Sequence, residues 1–137
     1  MPLVFRAMKK DDDGLPAVEQ SASGLGVRPG TDTDLDAQRN VLVNGRGMSV
    51  SPSWRTINIL RIPKRLRDKV RGARGSAKTF CFKTGDGPFS LGAFAAGLVL
   101  TPDSATHGCI SPAQSVPLGQ YEGDLAATRS DWQVDEN

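Results

Sequence analysis

Glycine and proline interrupt nearly every apolar run in this chain, and that punctuation limits what it can build. Arg28-Pro29-Gly30, Asn44-Gly45-Arg46-Gly47 and Gly85-Asp86-Gly87-Pro88 each read as a turn. Fifteen Gly and nine Pro in 137 residues argue for turns and irregular connections, and against a helical bundle. The length fits one domain, residues 1–137, and not two. With 38% hydrophobic and 23% charged residues, the composition supports one real core, unlike that of a disordered chain.

Between the turns, the side-chain pattern predicts short strands over residues 3–7, 41–43, 48–51, 79–83, 97–100 and 107–111. In the fourth of these, Phe80 and Phe82 face one side and Cys81 the other. Ser53-Trp54-Arg55 opens a short helix, and residues 64–78 read as a basic surface loop with a helical turn. The clearest element comes last. Pro117 suits a first helical turn, and Leu118, Tyr121, Leu125, Thr128 and Trp132 recur at spacings of three and four, which makes one buried face.

No run of eighteen or more apolar residues exists, so no membrane-spanning helix is expected. The opening Met1-Pro2-Leu3-Val4-Phe5-Arg6 is followed by Lys9, Lys10 and three Asp, which is not a signal-peptide pattern. Cys81 and Cys109 lie 28 positions apart and fit no metal spacing, so buried free thiols in a reducing compartment are the expectation. Net charge is only +2, but residues 61–83 carry nine basic side chains and one acidic. A stretch of +8 is an electrostatic feature that the whole-chain value hides.

Three segments taken together carry a resemblance. They are Val4-Phe5-Arg6-Ala7, then Gly47-Met48-Ser49-Val50, then His107-Gly108-Cys109-Ile110-Ser111-Pro112-Ala113 running into the helix with Leu125 and Trp132. In this order they resemble a family of small cytotoxic effectors delivered by bacterial type VI secretion, whose fold is like that of ADP-ribosyltransferases. The resemblance implies an α+β fold with a split, twisted mixed sheet and short helices. It implies a toxin that uses NAD as substrate in the cytoplasm of the intoxicated cell, reaches that cell without a signal peptide, and is restrained by an immunity protein. It places the functional positions on Ser49 and His107, with Arg6 matching the early-strand NAD anchor of the wider ADP-ribosyltransferases. Met48 stands where the family has Thr, and no Glu-x-Glu or Gln-x-Glu pair is present to supply the late catalytic Glu.

Each candidate has a plainer reading. Arg6 suits a pyrophosphate through its planar fork, or an ion pair with a carboxylate. Ser49, approached through Gly45 and Gly47, can donate to a ribose or a nicotinamide amide, or simply be a polar strand residue after a turn. His107, the single histidine, can bond a ribose or act as a base, or cap a neighbouring backbone group. One histidine makes no zinc site alone, and neither cysteine supplies a partner by spacing. Trp54 is placed to stack on nicotinamide, or to pack in the core. Asp32, Asp34 and Asp36 begin like a calcium loop, but Ala37 and Val43 stand at its Gly and Glu positions, which rejects it. Glu122 lies one place off the helix's apolar stripe and reads as solvated. Two alternatives accompany the enzyme: a non-enzymatic toxin or binding module of the same fold, and a nucleic-acid-binding protein using residues 61–83.

Overall fold

Val4, Arg6 and Met8 point to one side of strand β1 (Val4–Lys9), Phe5 and Ala7 to the other, and all five are buried. A strand covered on both faces must lie inside the molecule. In the computed structural model, which describes residues 1–137, β1 is the strand from which both halves of the fold are laid out. It pairs with β3 (Thr79–Thr84), with Arg6 opposite Phe82, and β3 in turn carries the two-residue β7 (Gln133–Val134). A second sheet has the order β2 (Met48–Val50), β6 (Gly108–Pro112), β5 (Leu98–Pro102), β4 (Gly92–Ala95). The two sheets meet where Phe5 and Ser51 exchange backbone hydrogen bonds of 2.7 and 3.0 Å.

The protein is thus a small α+β fold, mostly sheet, with one α-helix, α1 (Leu118–Ala126). All named strand pairs are antiparallel, which corrects the expected mixed sheet. For β4, β5 and β6 the physical reason is connection length. β4 turns into β5 at Gly97 (φ 77°), and β5 returns as β6 through a short loop, whereas a parallel pair needs a crossover of a dozen or more residues. Residues 41–43 form no strand either. Val41 is buried and takes isolated bridge partners, while Leu42 and Val43 face solvent. β4 escaped the sequence reading because its alternation is broken by a bulge between Ala93 and Ala95.

Sixteen buried residues form the main core, between the second sheet, β1 and α1. α1 contributes Leu118, Tyr121 and Leu125 to it. The helix ends at Ala126, earlier than the apolar spacing predicts. There the Thr128 hydroxyl donates to the Leu125 carbonyl (2.7 Å) and accepts from the Trp132 indole (3.0 Å). The chain tightens into a 3-10 turn over Arg129–Asp131, and Trp132 folds back into the core at 2% exposure. The Tyr121 hydroxyl donates to the Ile110 carbonyl and accepts from Met48 N, which locks the helix onto β2 and β6. Gly47 allows that approach, because a Cβ there would strike the Ile110 carbonyl and the Tyr121 hydroxyl.

A smaller cluster of eight buried residues lies on the other face of β1: Phe5, Ala7 and Cys81, closed over by Trp54, Ile57, Ile62, Leu66 and Ala73. The basic segment is therefore anchored. Ile62, Leu66 and Ala73 bury their side chains, each large one contributing about 1.5–3 kcal/mol, while Lys64, Arg67, Arg71, Arg74 and Lys78 stay outside. No helix is long and apolar enough to cross a membrane.

Candidate functional site

Where β1 and β2 part, a cleft of about 210 Å³ opens. Arg6 from β1, Ser49 from β2 and His107 from the lead-in to β6 all line it. Asp32 and Arg28 come from the irregular segment before β2, and Arg61 from the start of the basic segment. The three residues singled out by the resemblance are far apart in the chain and share one wall only because β2 pairs with β6 and touches β1.

Arg6 is buried, with 6% of its surface exposed, yet no carboxylate pairs with it. Its guanidinium is spent on backbone carbonyls. Nε donates to Gly24 (3.0 Å), Nη1 to Ser49 (2.9 Å), and Nη2 to Ser21 and Gly26 at 3.3 and 3.4 Å. Four bonds out of five N–H groups rule out the two-pronged phosphate clamp expected of it, and leave one Nη1 hydrogen for a ligand. The charge itself persists at neutral pH. Burial lowers the pKa to about 10, with nearby Asp32 acting the other way. The floor of the cleft therefore holds a positive charge that no anion of the protein neutralises by contact.

Ser49 sits mid-strand in β2, opposite Cys109 of β6, with its side chain exposed. Its backbone carbonyl serves Arg6, and its hydroxyl makes no hydrogen bond within the protein. A hydroxyl of this kind is free to donate to or accept from a ligand.

His107 is held from behind. The loop between β5 and β6 closes through backbone bonds from Asp103 N and Ser104 N to the His107 carbonyl, at 3.0 and 3.2 Å. That turn brings the Asp103 carboxylate to 2.8 Å from His107 Nδ1. The pair fixes the ring and leaves Nε2 for the cleft. Cys109, two residues on, lies on the same strand face, and one donor atom from each of Asp103, His107 and Cys109 falls within 4.8 Å of the others. The sequence reading missed this grouping. The His-x-Cys spacing within a predicted strand was the available signal, but the return of Asp103 depended on the loop. Burial pushes the Cys109 thiol above its ordinary value, so it stays protonated at neutral pH and is no ready nucleophile.

Asp32 brings a carboxylate to the cleft wall. Arg28 holds it through Nε and Nη2 at 3.1 and 2.8 Å, and its carboxylate also accepts from Arg28 N at 2.7 Å. Burial works to raise its pKa, but these bonds outweigh it and hold the Asp32 carboxyl below its ordinary value. Arg61 is the remaining cation on the cleft wall, exposed and free of any ion pair.

No protein-family model, curated protein or solved structure matches this chain.

Trp54 is not part of the cleft. It is 2% exposed in the smaller core, its indole N–H bonds the Asn137 carbonyl at 2.9 Å, and Arg55 stacks on its ring. The apolar demand of that second core draws the indole inward, away from the face that Ser49 presents. Glu122 accepts from the Gln20 side chain at 2.5 Å and does not line the cleft. Asp34 pairs with Arg46 and Asn44, and Asp36 caps a turn through Gln38 N and Asn40 N, as suits a loop that is no calcium site.

Proposed function

We propose that this chain is a cytotoxic effector that cleaves NAD or transfers its ADP-ribose, on a fold related to the ADP-ribosyltransferases. The observation that carries the reading is the convergence of Arg6, Ser49 and His107 on one cleft between two small sheets. In this reading NAD enters with its nicotinamide riboside end. At about 210 Å³ the cleft is below the roughly 300–1,000 Å³ of typical ligand sites, so the adenosine half lies over the rim near Arg61. The uncompensated Arg6 charge draws the pyrophosphate inward. Ser49 Oγ bonds the nicotinamide amide or its ribose, and His107, oriented by Asp103, bonds a ribose hydroxyl.

The glycosidic C–N bond then breaks, and nicotinamide leaves with the bonding electron pair. The anomeric carbon carries the positive charge until water or a target nucleophile bonds to it and gives up a proton. A fixed negative group beside that centre lowers the barrier. Asp32, ionised and held by Arg28, is the cleft residue that fills this role. The resemblance supplies the wider setting: delivery into a neighbouring bacterium by type VI secretion, action in its cytoplasm, and an immunity protein covering the cleft or the basic face.

The test is nicotinamide release from NAD by the purified chain, run beside growth of a bacterial cell expressing it. Release and arrest that both disappear in Ser49→Ala and His107→Ala at equal protein level support the reading. Growth arrest without NAD loss converts it to a non-enzymatic toxin of the same fold, and the absence of both effects overturns it.

A second reading rests on the five outward basic side chains of Lys64, Arg67, Arg71, Arg74 and Lys78, none of which makes an ion pair. They fit phosphate contacts with nucleic acid. That binding would weaken steeply with salt and be insensitive to Ser49 and His107.

A further inference from the structure

We infer that Asp103, His107 and Cys109 form a binding site for one soft divalent cation, of which zinc is the type. One donor atom from each residue lies within 4.8 Å of the other two. Adjacent ligands of a tetrahedral zinc are separated by about 3–4 Å, given bonds of about 2.0–2.3 Å, so the trio already lies close to that spacing. The donors are an imidazole, a carboxylate and the Cys109 sulfur, whose proton is displaced to solvent by the incoming cation. That set suits zinc and its neighbours in the first transition row, and not magnesium or calcium, which take oxygen ligands. Three protein ligands leave a fourth position open to water.

The backbone prepares the site. His107 and Cys109 share a strand face because they are two residues apart, and the main-chain bonds from Asp103 N and Ser104 N to the His107 carbonyl hold the loop that returns Asp103. The three side chains are partly exposed, so an ion reaches them without unfolding, whereas Cys81 is wholly buried. Cys109 lies directly opposite Ser49, so an ion held here adjoins the cleft. A plain Asp103–His107 hydrogen bond, with Cys109 a bystander, is the competing account.

The cation site shares His107 and Asp103 with the NAD reading, but its test uses no NAD, so the two fail separately. Reduced, chelator-stripped protein is titrated with cobalt(II) and followed by absorption. The expected result is one equivalent bound, with tetrahedral visible bands and a near-ultraviolet sulfur-to-cobalt charge-transfer band, all displaced by zinc. Cys109→Ser should abolish the charge-transfer band and Cys81→Ser should leave it. His107→Gln, at a half-buried position, and Asp103→Asn, at an exposed one, should each weaken binding about tenfold or more, with folding checked by circular dichroism. Cobalt uptake without a thiolate band, as at the acidic loop Asp11–Asp13, would overturn the site. So would a band unchanged by His107→Gln, or no uptake at all.

Discussion

Arg6 Nη1 donates to the backbone carbonyl of Ser49 at 2.9 Å, so the charge that floors the cleft also fixes the strand presenting its free hydroxyl. The same guanidinium reaches across to Ser21, Gly24 and Gly26, and so holds the irregular segment against β1. One side chain thus sets both the shape of the site and its potential.

Arg6→Leu should destabilise the protein by about 3 kcal/mol, because it strands buried carbonyls that a charged donor now satisfies. Arg6→Lys should recover little of that. An ammonium keeps the charge but cannot span four carbonyls in a plane. Chemical denaturation of the three proteins checks both expectations.

Ser49→Ala should leave stability within about 0.5 kcal/mol, since its hydroxyl has no protein partner. On the proposed activity it should cost about tenfold or more, the value of one lost ligand hydrogen bond. His107→Ala should cost about a hundredfold or more. Nicotinamide release measured at equal folded concentration separates loss of chemistry from loss of fold.

Asp32→Asn keeps the shape of the residue and removes its charge. If Asp32 faces the developing positive centre, kcat for NAD cleavage should fall by about a hundredfold or more while KM changes little. Some loss of stability accompanies it, because Arg28 loses its anionic partner.

Stability should fall as pH rises above 9. Burial pushes the Cys81 thiol up to about 12 from an ordinary value of 9.0, with Glu136 adding to the shift. Between those values the unfolded chain sheds a proton that the folded one keeps. The thiol's contribution is therefore intact below pH 9 and is lost on the way to pH 12, at up to about 1.4 kcal/mol per pH unit. Cys81→Ala should make this limb shallower when urea midpoints are compared at pH 8 and pH 10.5.

Glu136→Gln should cost about 1 kcal/mol. Its carboxylate accepts two bonds from Arg65, at 2.9 and 2.7 Å, and one from Cys81 N at 3.3 Å. The loss should shrink in high salt, which thermal unfolding at two salt concentrations would show.

Much of the strand content was legible in the residues. The alternation of residues 79–83 and the turn before Met48 appear where the pattern placed them, and the strand expected over 97–100 is β5, which starts at Leu98 with Gly97 as the turn before it. The apolar stripe from Leu118 to Trp132 was read correctly as one buried face, but not as the helix end and 3-10 turn that present it, because a Thr128 hydroxyl bond leaves no mark on spacing. Trp54 was misplaced because sequence nearness to Ser49 says nothing about which side of β1 a side chain takes.

What the sequence determined by itself was local: short strands, frequent turns, one amphipathic helix, and a basic stretch that cannot be wholly buried. These follow from side-chain periodicity and backbone freedom, which act over a few residues. The tertiary structure alone decided the site. Sheet pairing set Cys109 across from Ser49, loop closure put Asp103 behind His107, and an Arg6 that looked ready for phosphate found its partners in the carbonyls of residues 21, 24, 26 and 49. The reason is that a buried polar group takes whatever partner the packed chain brings within about 3 Å, and that choice is made between segments far apart in sequence.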